Sequence, residues 1–223
     1  MTAGNFGFAA VIKSSAPKVP LWALMLGTYL LDFVFIILVA AGLESFAPID
    51  PAHPAYGQVS IQAYYSHSLV GAVLIALIAG LLAAWAWGRR VGIVIGAVVF
   101  SHWILDLIVH RPDLPILPGN AGNLPLLGFG LWQLPLASAI VELVLVLAGT
   151  YLYYQKARNA PAADGKRYMR ALVASGVTGL LLISLLTADV LNLPIFIAVL
   201  LILLLIILSG WLDSRLEWSM TPA

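Results

Sequence analysis

Cysteine is absent from all 223 residues, which excludes disulfides, thiolate metal ligands and a cysteine nucleophile. Charge is nearly as scarce. Asp, Glu, Lys and Arg make up 9% of the chain, against roughly 25% in soluble domains. So few charges cannot cover a soluble globule of this size. A net charge of +1 with no basic run offers nothing to nucleic acid. The one long charged stretch is QKARNAPAADGKRYMR, residues 155–170.

What fills the chain instead is apolar: 62% of residues are hydrophobic and the mean hydropathy is +1.01. These values describe an integral membrane protein whose main partner is the lipid bilayer. A helix needs about 20 apolar residues to cross the hydrocarbon. Six segments qualify, near 21–43, 67–88, 91–110, 129–154, 170–190 and 194–212. The expectation is an all-α, polytopic bundle of six transmembrane helices forming one integral membrane domain over 1–223, without internal repeats. The first run is too long for the h-region of a cleaved signal peptide and reads as a retained span. The stretches 44–66 (with Pro48, Pro51 and Pro54) and 111–125 (with four prolines) read as loops.

Basic residues set the orientation. Lys13, Lys18, Arg89, Arg90, Lys156, Arg158, Lys166, Arg167, Arg170 and Arg215 fall on one side of a six-span topology, and only Arg111 falls on the other. Both termini are therefore expected in the cytoplasm.

Ionisable residues inside spans are expensive, roughly 2.5–3.5 kcal/mol each at mid-span on insertion scales. Here they are Asp32, His67, His102, Asp106, Glu142 and Asp189, with His110 at the end of the third span. A rise of about 1.5 Å per residue places Asp32, His67, His102 and Glu142 at middle to outer depth, so polar groups of four spans converge on the outer half. His102 and Asp106, at i and i+4, share a helix face and can ligate one ion together. His110 lies two turns, roughly 12 Å, from His102 along a continuous helix. It is expected to serve substrate, a proton path or a second ion, with Arg111 beside it at the mouth to meet an anionic group. His67 reads either as a ligand or as an interfacial cap, and Glu142 either as a general base or as a structural acid. Asp189 is expected at an interface and His53 in a solvated loop.

Two histidines with carboxylates suit Zn²⁺, Mn²⁺ or another first-row divalent metal better than Ca²⁺ or Mg²⁺. Asp32, His67, His102 and Asp106 are the expected metal ligands. Such an ion acidifies a coordinated water and polarises a carbonyl or phosphoryl oxygen. Glu142, His110 and Arg111 are then the expected catalytic residues.

SHSL at 66–69 followed by SHWILDL at 101–107, together with Asp32, resembles the bacterial membrane-bound metal-dependent hydrolases, the YdjM-like group. That family carries a span-one Asp, a Thr-His-Ser at a span start and a later His-x-x-x-Asp on a span, matched here in order over about residues 20–115. This chain departs from it in two places. Leu31-Asp32 stands where the family has Pro-Asp, and SIQAYYSHS lacks the family's preceding His-Arg-Gly. The resemblance implies a metal-dependent hydrolase of the bacterial inner membrane and says little about the bond cut. With the polar groups on the outer half, the expected site faces outward and the expected substrate is lipid-linked or extracytoplasmic, such as a phosphoester. Two alternatives remain. In one, the same acids and histidines form the ion path of a proton- or metal-coupled transporter, although no pair of broken half-helices like those of many transporters is evident in the sequence. In the other, they only join helices in a non-catalytic subunit. Oligomeric state is not legible.

Overall fold

The computed structural model describes residues 2–48, 59–159, 166–187 and 194–216. The described residues form eight helices and one β-hairpin: α1 (Thr2–Ser15), α2 (Leu21–Thr28), α3 (Leu30–Ala40), β1 (Ser45–Pro48), β2 (Val59–Gln62), α4 (Leu69–Trp87), α5 (Arg89–Val109), α6 (Pro135–Asn159), α7 (Lys166–Ile183) and α8 (Ile195–Asp213). By its contacts the chain divides into two compact units, Gly27–Ile140 and Thr2–Leu26 with Val141–Ala223. Helix α6 begins in the first and continues in the second.

Among the described residues four helices, α4, α5, α6 and α8, are long and apolar enough to cross a membrane. Helices α2 and α3, bent by 50° at their junction, make a fifth if they are one broken span. Large apolar side chains stand exposed along these helices, for example Leu81 at 69%, Trp85 at 87% and Phe196 at 71%. Lipid rather than water is the solvent that accepts such a surface. The fifth expected span, near 170–190, is shorter: the apolar helical part of α7 covers Met169–Ile183 and passes into a 3-10 turn at Ser184–Thr187. Asp189 and His53 lie outside the described residues.

In the first unit, α4 and α5 form a tight antiparallel hairpin. Only Gly88 separates them, with φ +90°, a conformation that favours glycine. The two backbones then run in close contact: a Cβ on Gly92 would sit 2.5 Å from the Gly80 carbonyl oxygen. Because the turn is a single residue, the start of α4 lies opposite the end of α5. That apposition places residues near 67 beside residues near 106. The first amides of α4, which have no intrahelical acceptor, are satisfied by the 110–130 loop and by the cap. Leu69 N donates to Pro115 O at 3.0 Å and Val70 N to Ile116 O at 3.1 Å, and Gly71 N donates to Ser68 Oγ at 3.0 Å.

The 44–66 stretch is more ordered than a plain loop. Strands β1 and β2 pair antiparallel, Ser45 opposite Gln62 and Pro48 opposite Val59. The register carries Glu44, just before β1, back to Tyr65 and Ser66, just after β2.

The second unit holds an element absent from the expectation, helix α1. Phe6, Ala9 and Ala10 are buried, and Gly7 lies so close to α6 that a Cβ would meet the Leu145 carbonyl oxygen at 2.5 Å. Lys13 is buried too, 2.9 Å from Asp213 at the end of α8. A side chain counted from sequence as a cytoplasmic charge is therefore an internal ion-pair partner.

Candidate metal centre

Three segments of the first unit supply the site. The break between α2 and α3 falls at Tyr29, with φ −114° and ψ 1°. A break leaves carbonyls at the end of one helix without intrahelical partners, and Thr28 O accepts a hydrogen bond from His102 Nδ1 at 2.5 Å. The same break starts α3 anew, with Asp32 in its first turn, where the helix dipole favours a carboxylate. His67 immediately precedes the Ser68 cap of α4. Its carbonyl accepts the indole N–H of Trp103 at 2.9 Å, which pins the start of α4 to α5. His102 and Asp106 sit one turn apart on α5, both buried.

Their ligand atoms converge. His67 Nε2 lies 3.5 Å from Asp32 Oδ1 and 3.4 Å from Asp106 Oδ2. His102 Nε2 lies 3.6 Å from Asp32 Oδ1 and 3.0 Å from Asp106 Oδ2. One ligand atom each from Asp32, His67 and His102 falls within a 4.8 Å group, so these residues can hold a metal ion. Most of these separations are too long for hydrogen bonds. They match another geometry: donor atoms about 2.1 Å from a tetrahedral ion stand about 3.4 Å apart.

The outward-facing ring nitrogens decide what the inward-facing ones carry. His102 Nδ1 faces a carbonyl oxygen, which only accepts, so Nδ1 bears the hydrogen. His110 Nδ1 faces the Asp113 carboxylate at 2.8 Å, with the same consequence. His67 Nδ1 lies 2.8 Å from Ser66 Oγ, whose own proton goes to Glu44 Oε2 at 2.8 Å. The hydroxyl is therefore left to accept from Nδ1–H. In the neutral imidazoles all three Nε2 atoms point lone pairs toward Asp106. Two carboxylates and three lone pairs facing one another repel unless a metal ion or a proton on Nε2 lies among them. Fixing Nδ1–H by an outer acceptor is how proteins prepare histidine to bind metal through Nε2.

His110 departs from the sequence expectation. A 12 Å separation from His102 requires the helix to continue, but α5 ends at Val109 and His110 is extended, with φ −63° and ψ 148°. Its ring folds back, placing Nε2 3.8 Å from Asp106 Oδ2 and its centroid 4.4 Å from that of Trp132. Arg111 follows, half-buried, its carbonyl accepting from Asp113 N at 2.6 Å. Glu142 belongs to the second unit, where Oε1 accepts the Gly4 amide at the start of α1 at 3.0 Å. The ligand group of the first unit is assembled without it.

Glu44, Ser66, Thr28, Asp113 and Trp132 were not among the residues expected from sequence. Asp113, three residues after His110, and Ser66, beside His67 in the SHSL stretch, carried a local signal. The site opens on one side: the side chain of Asp32 is 38% exposed, against 2% for His67 and 5% for Asp106. No protein-family model matches the chain, and neither does any curated protein or solved structure.

Proposed function

We propose that this chain is a membrane-embedded, metal-dependent hydrolase. One observation carries the proposal: Nε2 of His67, His102 and His110 all face Asp106, each with Nδ1 hydrogen-bonded to an acceptor. Asp32, His67, His102 and Asp106 hold a divalent transition ion, zinc or manganese by the chemistry of imidazole and carboxylate donors. When bound, such an ion supplies Lewis acidity toward a carbonyl or phosphoryl oxygen.

The chain's own groups divide the remaining work. Asp32, the exposed member, lies on the side from which substrate enters. His110 gives Nδ1–H to Asp113 and holds Nε2 beside Asp106, placed to take up or return a proton there. Trp132 Nε1–H is buried next to His110 and has no hydrogen-bond partner among the described residues, a donor suited to a substrate oxygen. Arg111 lies one residue beyond His110 and suits an anionic group. A lipid-linked or extracytoplasmic phosphoester, reached from the outer face of a bacterial inner membrane, is the substrate class that fits an anion-binding mouth on an apolar protein. The YdjM-like resemblance supports a metal-dependent hydrolase without naming the bond.

The test is metal content by elemental analysis of the detergent-purified protein, wild type beside His102→Ala and Asp106→Ala, followed by a phosphoester screen. Near-stoichiometric transition metal lost from both folded variants, with hydrolysis lost in parallel, is expected. A wild type that takes up no metal after incubation with zinc or manganese removes the proposal. A transporter is the second reading, favoured by the 50° break beside Asp32, because broken helices mark ion sites in many carriers. Metal flux into proteoliposomes that depends on Asp106, with no hydrolysis, would put it first.

A further inference from the structure

We infer that Glu44 is a positioning residue for the metal centre, acting through Ser66 to hold His67 in the tautomer that binds metal. The inference rests on the metal-binding reading above. Glu44 is 5% exposed, and among the described residues its carboxylate bonds to the Tyr65–Ser66 segment rather than to a ligand atom of the cluster. All three of its recorded partners are donors: Oε1 accepts Tyr65 N at 2.7 Å and Ser66 N at 2.9 Å, and Oε2 accepts the Ser66 hydroxyl at 2.8 Å.

Each link has one direction. Backbone amides only donate, so Oε1 must be an acceptor. With Oε2 also accepting, the Ser66 proton is committed to Glu44. The Ser66 oxygen then accepts from His67 Nδ1 at 2.8 Å, and the His67 lone pair is left on Nε2, facing Asp32 and Asp106. The β1–β2 register builds this relay, since pairing Ser45 with Gln62 returns Glu44 to the Tyr65–Ser66 turn. Ser66 and His67 are both buried, at 1% and 2% exposure. Water does not compete for these positions.

Glu44→Gln tests the direction of the relay with little change of shape. The two backbone amides still require an oxygen, so the new amide turns its NH₂ toward Ser66. Ser66 Oγ then accepts from that NH₂ and donates to His67 Nδ1, and the His67 hydrogen moves to Nε2. The metal would have to displace it. Two readouts follow. Histidine nitrogen NMR of the metal-free protein should show His67 as the Nδ1–H tautomer in wild type and the Nε2–H tautomer in Glu44→Gln. Zinc affinity by chelator competition should fall roughly 10- to 100-fold, the usual loss on removing an outer partner of a ligating histidine.

If Glu44→Gln does not fold, Ser66→Ala and Ser66→Thr decide instead. Alanine should lose affinity at least about tenfold, while threonine, which keeps the hydroxyl, should retain it. An unchanged tautomer in Glu44→Gln, or equal zinc affinity in Ser66→Ala and Ser66→Thr, overturns the inference. A wild type that binds no zinc removes the metal reading instead, while the NMR arm still decides whether Glu44 sets the tautomer.

Discussion

Replacing Asp213 by alanine removes a carboxylate that three groups of the second unit share. Oδ2 pairs with Lys13 Nζ at 2.9 Å and accepts Leu21 N at 3.3 Å, and Oδ1 accepts the Tyr153 hydroxyl at 2.9 Å. Lys13, with 1% of its side chain exposed, keeps the carbonyls of Pro17 at 2.8 Å and Val19 at 2.9 Å but loses the counter-charge of Asp213. Breaking one half of a buried pair costs about 3–5 kcal/mol. Losing one neutral hydrogen bond, as in Tyr153→Phe, costs about 1 kcal/mol. Burial holds the Lys13 pKa below the ordinary lysine range although Asp213 pulls it upward. Desolvation therefore exceeds what the partner returns, and removing both charges should cost less than removing one. Lys13→Met with Asp213→Asn, which keeps an acceptor for Tyr153, should recover most of the loss. Thermal unfolding of the purified protein in detergent measures this, and a drop on the order of 10 °C is expected for Asp213→Ala. The reasoning is refuted if Asp213→Ala costs no more than Tyr153→Phe, or if the double variant unfolds as early as Asp213→Ala.

Two further outcomes follow. Gly92→Leu should push α4 from α5, since even a Cβ would lie 2.5 Å from the Gly80 carbonyl oxygen. It should strip metal without altering a ligand, which elemental analysis of the folded fraction would detect. Stability should rise with pH in the alkaline range below 10.5, the ordinary lysine value. With the folded pKa of Lys13 depressed, the unfolded state binds more protons there, and unfolding followed across that range should lose this slope in Lys13→Met.

Much of the candidate cluster was legible because its signal is local. An imidazole or carboxylate in an apolar run is costly wherever the run ends up, so Asp32, His67, His102 and Asp106 stand out one residue at a time. The helix period then places His102 and Asp106 on one face. The partners that make them a site carry no such mark. Glu44 stands 22 residues before Ser66 in the chain, and nothing in its neighbourhood tells that a β-hairpin returns it there. His110 looked too distant because the helix was extended one residue too far. Nor did sequence tell that Glu142, which reads there as a general base or a structural acid, accepts the amide of Gly4, 138 residues away.

Sequence by itself determined the class of the molecule, because 62% apolar composition and 9% charge leave no soluble alternative. It also determined most of the helices and the side chains too costly to bury idly. Tertiary structure alone decided which of those side chains meet. The one-residue turn at Gly88 sets the start of α4 beside the end of α5, and the break at Tyr29 turns a backbone carbonyl toward His102. Tertiary structure decided the histidine tautomers as well, since a ring nitrogen takes its proton according to the acceptor packed against it. That acceptor comes from a distant part of the chain.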